Sequence, residues 1–391
     1  MKYIFTLFLC SSFSMLFGQN FAVNDTINDV VVIKFGQQLE DSFYKKDPTF
    51  FSDNFDRDSF VTKIILSEED TNGNKEMKKF NASFKVGFFS KFDAFPMKII
   101  EGIEKETSYD IVNYYYNISE QKYHLLFRMF SEEEGLNYHD YQLNYVNEKF
   151  LIEDLYIYTT GEYLSDTLRQ LYLISIPQKY MEDMDTSKER ISSMLFILQY
   201  KRLIDQQEYK KAFDLLNNLE GEIKNQKIYY TLKIQVAEEI NDVYYMEAID
   251  ELLKKFPEDA STQLMAVDYF IMLKDYNATM NALEALQEVT EDNFVEYIKG
   301  NIAWEFEDYE GAEKAYTYIM NEYPNYEMAK MSLLYLYDFL EKHEDNILLL
   351  NKMIDSKEYT KQNLIDFIDD KTNELQYLPQ ATIYKKWKEK K

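Results

Sequence analysis

Only three histidines occur in the 391 residues. One of them lies in "GLNYHDYQLNY" (135–145), beside an aspartate and among tyrosines. A histidine next to a carboxylate has the composition of an acid–base pair, but the spacing argues against one here. The stretch alternates as a strand does, and neighbours in a strand point to opposite faces. His139 therefore shares a face with Asn137, Tyr141 and Tyr145, and Asp140 shares the other with Tyr138, Gln142 and Asn144. A tight turn at 146–149 would pair Tyr145 with Phe150, Tyr141 with Asp154 and His139 with Tyr156. A turn at 131–136 would pair His139 with Arg128. That register gathers His124, Arg128, His139, Tyr141, Asp154, Tyr156 and Tyr158 on one face, which supplies an acid, a base and a cation for a pocket. A slip of one residue would send Arg128 and His124 to the other side. The plainer alternative is a polar, solvated sheet face on which Arg128 pairs with Asp154.

Other chemistry is absent from the sequence. There is no HExxH, GxSxG, GxGxxG or phosphate-cradling Gly-Lys-Ser/Thr. "EEDTNGNKEMKK" (68–79) has oxygen ligands at alternating positions and Gly73 at the turn, but Lys79 stands where a calcium loop needs a bidentate glutamate. It reads as a loop, and no metal or cofactor is expected.

The elements around these residues follow from period and punctuation. Glycine (10) and proline (6) are scarce, which favours helices. Helices are expected over 27–45, 55–66 and 75–104, the last broken by Pro96. The period then becomes two in four runs, 108–117, 121–131, 136–146 and 149–159, with short polar connections. Short connections make antiparallel neighbours, hence a four-stranded meander. A helix over 162–176 ends at Pro177, and 177–189 reads as a linker. Helices followed by a curled antiparallel sheet resemble, in element order alone, the nuclear transport factor 2-like cone fold. The N-terminal domain (19–176) is thus expected to be α+β.

From residue 190 to 372 the chain reads as helical and periodic. "QQEYKKAFDLL", "LKDYNATMNAL" and "FEDYEGAEKAY" each place an aromatic where an amphipathic helix begins, at Tyr209, Tyr276 and Tyr309. Weaker units fall near Val243, one residue short, and near His343. Gly300 and Ala312 are small where two helices must approach, and Pro257 and Pro324 close units. With its 33- to 34-residue spacing this half resembles the tetratricopeptide repeat, which implies about five helix–turn–helix units stacked as an all-α solenoid. In that family the first helices line a groove that takes peptides. Carried over by position, Phe294, Tyr297, Asn301, Trp304 and Tyr335 would form a protein-binding surface.

The formal charge of −26 disfavours nucleic acid and anionic surfaces and suits a basic or amphipathic protein or peptide as partner. "YKKWKEKK" (384–391), within a basic tail at 373–391, reads as a solvated end. "MKYIFTLFLCSSFSMLFGQ" has a lysine, an apolar run and Gly18, the pattern of a secretory signal over 1–18. It resembles signal peptides of Bacteroidetes, with cleavage before Gln19. Cleavage there removes Cys10, so the exported chain would carry no thiol. No later stretch is apolar and long enough to span a membrane. The sequence points to a periplasmic or extracellular, non-enzymatic interaction protein. The alternative is a small-ligand binder or enzyme with its pocket in the N-terminal sheet.

Overall fold

The computed structural model describes residues 26–391, apart from 72, 93, 134, 178–179, 181–195, 197–198, 220–221, 258 and 391. The expected signal and most of the expected linker lie outside the described residues. The chain divides into two units, 1–157 with 162–197 and 158–161 with 198–391.

The first unit begins with α1 (Thr26–Tyr44), α2 (Thr49–Asp53), α3 (Arg57–Ile64), α4 (Lys75–Phe92) and α5 (Phe95–Ile103). Five strands follow: β1 (Ser108–Asn117), β2 (Lys122–Ser131), β3 (Gly135–Val146), β4 (Lys149–Ile157) and β5 (Glu162–Tyr163), and α6 (Leu164–Ser175) completes the unit. The sheet is an antiparallel meander in the order β1-β2-β3-β4-β5. The four-strand expectation is corrected by β5, a two-residue strand too short to show a period, which pairs Tyr163 with Tyr156.

One sheet face packs on the helices. Val32, Leu39 and Phe43 of α1 join Tyr109, Leu125, Phe127, Tyr141 and Leu155 in a single core. Phe80, Phe84, Phe88 and Phe92 recur every fourth residue of α4, so they form one stripe. Phe84 and Phe88 stack at 6.0 Å, and Phe88 stacks on Phe60 of α3 at the same distance. Burying aromatic faces in this way supplies much of what a breaker-poor, Phe-rich chain has to offer a core.

The outer side of β1, and that of β4 where β5 does not reach, are both occupied. On β1, Ile111 N donates to Glu40 Oε1 at 2.7 Å and Tyr109 N to the Tyr44 hydroxyl at 3.1 Å. On β4, Ile152 N donates to Asn54 O at 2.7 Å and Asp56 N to Ile152 O at 2.8 Å, so the α2–α3 connection lies alongside as a bridge.

The second unit is mostly helical. After helical backbone at 199–205 come α7 (Tyr209–Asn217), α8 (Lys227–Glu238), α9 (Asp242–Lys255), α10 (Ala260–Met272), α11 (Tyr276–Thr290) and α12 (Val295–Glu305). Then follow α13 (Tyr309–Glu322), α14 (Glu327–Phe339), α15 (His343–Asp355), α16 (Lys361–Asp369) and α17 (Thr382–Glu389). Each helix from α7 to α15 packs on its neighbours in sequence.

One turn recurs within this unit. Gln207, Lys274, Glu307 and Glu341 are left-handed, with φ of 57°, 56°, 63° and 54°. Glu307 N donates to Trp304 O at 3.0 Å and Asp308 N to Ala303 O at 2.8 Å, and the other three turns repeat both bonds. This is a Schellman termination, which satisfies the last carbonyls of the helix. The unit expected to be one residue short departs here. Asn241 adopts an extended φ of 177° and caps α9 by accepting from Val243 N and Tyr244 N. The tyrosines that begin α11 and α13 also have a physical role. Tyr276 packs on Phe306 of the next turn (5.4 Å) and donates to Asp308 Oδ2 at 2.7 Å, and Tyr309 packs on Phe339 (5.3 Å). Gly300 allows α12 and α13 to touch, since a Cβ there would lie 2.7 Å from the Tyr316 ring and 3.2 Å from Ala315 Cβ.

The C-terminal end is docked rather than frayed, contrary to the expectation of a solvated tail. Tyr384 and Trp387 are buried, and Trp387 Nε1 donates to Asn351 Oδ1 at 2.9 Å. Asp338 accepts from the backbone amides of Gln376 and Tyr377, at 2.8 and 3.0 Å, and so fixes the segment that leads to α17.

Candidate functional site

The sheet register decides the fate of the predicted pocket. Asn147 and Glu148 are both left-handed (φ 50° and 66°), a two-residue hairpin turn that pairs Tyr145 with Phe150 as expected. A bulge between Gln142 and Leu143 then shifts β4 by one residue. Tyr141 therefore pairs with Leu155 and His139 with Ile157, in place of Asp154 and Tyr156. On the other side Arg128 pairs with Tyr138, and Phe127 takes the place opposite His139. The five pocket candidates are thereby divided, with His139 and Tyr141 on the helix-covered face and Arg128, Asp154 and Tyr156 on the opposite one.

On the covered face His139 Nδ1 lies 2.9 Å from the Tyr109 hydroxyl, which lies 2.5 Å from that of Tyr141. Burial pushes the His139 imidazole down to about 4, so it is neutral near pH 7. Burial raises both tyrosines as well. The trio is a buried hydrogen-bond chain within an aromatic core.

The opposite face carries a denser polar network. His124 is enclosed by two carboxylates, Asp140 Oδ1 3.0 Å from Nδ1 and Glu120 Oε2 2.8 Å from Nε2. Two carboxylates at the two ring nitrogens favour the doubly protonated form of His124. Burial opposes that charge, but the Asp140 and Glu120 bonds prevail and raise the group above its ordinary value. The Tyr115 ring stacks on His124 at 4.8 Å, and its hydroxyl donates to Asp140 Oδ2. Gln142 and Tyr163 donate to Glu120 at 2.8 and 3.2 Å. Asp154 accepts from Lys63 Nζ (3.1 Å) and Ser165 Oγ (2.6 Å). Arg128 bonds Asp110 at 2.7 Å, so the expected Arg128–Asp154 pair is not formed. Beside this network burial pushes the Glu162 carboxyl up to about 7.

His139 and Asp140 face opposite ways, as their alternation demands. The residue that Asp140 does engage, His124, is one strand away, and only the hairpin register could have revealed it. Glu120 sits four residues before His124 in the β1–β2 turn, and Lys63 reaches in from α3. Neither has a local pattern that marks it.

In the second unit the predicted groove residues separate by depth. Phe294 and Tyr297 are buried, packed on Tyr326 at 5.0 Å each, and so serve as internal contacts. Asn301 accepts from the Tyr316 hydroxyl at 2.8 Å, and Tyr335 donates to Asn373 O at 2.8 Å. Trp304 is half-buried and lies 6.1 Å from Phe339, which is 51% exposed.

Among the described residues there is no His/Cys/Asp/Glu group suited to a metal ion, and no helix long and apolar enough to cross a membrane. The 68–79 stretch, expected to be a loop, is helical from Lys75 on as the start of α4; Lys78 bonds Glu68 at 2.8 Å, and Asp70 accepts from Ser67 N at 3.0 Å. No family model matches the chain, and no curated protein matches it.

Proposed function

We propose that the protein is an exported, non-enzymatic interaction protein. In this reading its C-terminal unit is a tetratricopeptide-type solenoid, and the face made by the first helix of each pair holds a segment of another protein. The observation that carries this is periodic. Gln235, Asp268, Asn301 and Tyr335 are spaced by 33, 33 and 34 residues on α8, α10, α12 and α14, and all retain solvent access. Four residues further on, Glu239, Met272, Glu305 and Phe339 keep the same spacing and are all exposed. Residues four apart share a helix face, so equivalent positions on successive first helices stay open while Phe294 and Tyr297 hold the units together. Of the residues expected from sequence, Asn301 and Tyr335 belong to this surface, whereas Phe294 and Tyr297 are buried beneath it.

The division of the pocket candidates between two sheet faces also favours this reading over an enzyme. Export to the periplasm or beyond rests on the N-terminal sequence. The test is affinity capture from an envelope extract, with bound proteins identified by mass spectrometry. A partner should be retained by the parent chain and lost with Phe339→Ala, with circular dichroism verifying the fold. Equal capture by parent and variant would sink the proposal.

A further inference from the structure

The last of the four periodic positions on the first-helix face is one that the chain covers itself. Tyr335 donates to Asn373 O at 2.8 Å. Asp338 lies three residues on, and so on the same face of α14. It accepts from the amides of Gln376, Tyr377 and Leu378 at 2.8, 3.0 and 2.5 Å. Two side chains thus hold four main-chain groups of one segment, 373–378. The equivalent positions on earlier first helices hold no such segment. Among the described residues Gln235 and Asp268 are exposed and make no hydrogen bond, and Asn301 bonds only Tyr316. Nor is the carboxylate a feature of the repeat, since Trp304, Ile271 and Glu238 stand where Asp338 does at 33- to 34-residue spacing. The segment is held more by its backbone than by its side chains. Lys371, Thr372, Glu374, Gln376 and Tyr377 are exposed, and Leu378 is the one buried side chain between 371 and 380. Hydrogen bonds with little apolar burial around them open locally at low cost. The flanking helices are anchored, α16 through buried Leu364 and Ile368 and α17 through Tyr384 and Trp387. The segment can therefore lift while both its ends stay in place.

We propose, resting on the interaction reading above, that residues 373–378 are an autoinhibitory strap. In the free protein the strap occupies the partner surface at α14, and it lifts when a partner's segment takes its place. A tethered competitor acts at a high effective concentration. The strap therefore sets an affinity that a partner must exceed before it reaches Tyr335 and Asp338.

The test uses the full chain. Leu378→Asp puts a charge where the strap is buried and should release it. Release is read as faster hydrogen exchange at the amides of 376–378, with α12 and α13 still protected. Leu378→Ser repeats the measurement should the charge also loosen α14. A phage-displayed library of random dodecapeptides is panned on the released variant, and the enriched peptides are synthesised with a fluorescein label. They should bind the released variant at least about tenfold more tightly than the parent. At saturation on the parent they should speed exchange at 376–378. Peptides that bind both proteins alike and leave those amides protected would overturn the strap, and if Phe339→Ala weakens them the interaction surface stands. No enriched peptide, or peptides indifferent to Phe339→Ala as well, would overturn both.

Discussion

His139 and His124 sit on adjacent strands of one sheet, yet they respond to protons in opposite senses. His139 is held down to about 4 by burial, whereas the unfolded chain's imidazole titrates near 6.5. Between those values the unfolded chain binds a proton that the folded chain refuses, so stability falls as pH drops through about 6.5 toward 4. His124 is raised, so its contribution is full below the unfolded value and is lost as pH rises through the folded one. The prediction is specific to His139. Urea midpoints of the parent should fall steeply between about pH 6.5 and 4, and His139→Phe should flatten that slope even if it costs stability at neutral pH. An unchanged slope would show that the buried imidazole is not the proton-linked group.

At the scale of elements, the recurring turn places glutamine, lysine or glutamate where the backbone is left-handed, a conformation that costs a residue with a Cβ about 1 kcal/mol or more. Glu307→Gly should therefore raise stability by up to about 1 kcal/mol, less the entropy that glycine gives to the unfolded chain. Differential scanning calorimetry of the parent and variant measures it, and a lower melting temperature would refute it.

Which elements could be foreseen follows the same physics. The strands were legible because alternation is local, and four of them fall within two residues of where the period puts them. The recurring turn was legible where an aromatic and a capping aspartate stand at fixed offsets, as at Asp275–Tyr276 and Asp308–Tyr309. The register was not legible. A single bulge at Gln142/Leu143 and a one-residue choice in the β2–β3 hairpin moved Arg128 and Asp154 away from His139, and neither leaves a mark on composition. The burial of Phe294 and Tyr297 was hidden for a related reason, since whether an aromatic such as Tyr297 faces outward or packs on Tyr326, 29 residues on, depends on packing between helices.

For the molecule as a whole, stability comes from contacts that do not resemble one another. The first unit relies on aromatic burial against a sheet, and the second on the same junction made again and again and then closed at its C-terminal end by Asp338 and Trp387. The acidic balance keeps copies apart by charge, but charge alone does not stop strands from adding to strands, and a sheet edge is a template for a foreign chain. The Glu40 carboxylate and the Tyr44 hydroxyl deny β1 that role by taking two outward amides which an incoming strand would need. Removing both acceptors with Glu40→Ala and Tyr44→Phe should leave the fold recognisable by circular dichroism but turn a dispersed protein into one that self-associates edge to edge, visible as a rise in light scattering with concentration. The helix that begins the described chain would then be a guard against polymerisation as much as a wall of the core.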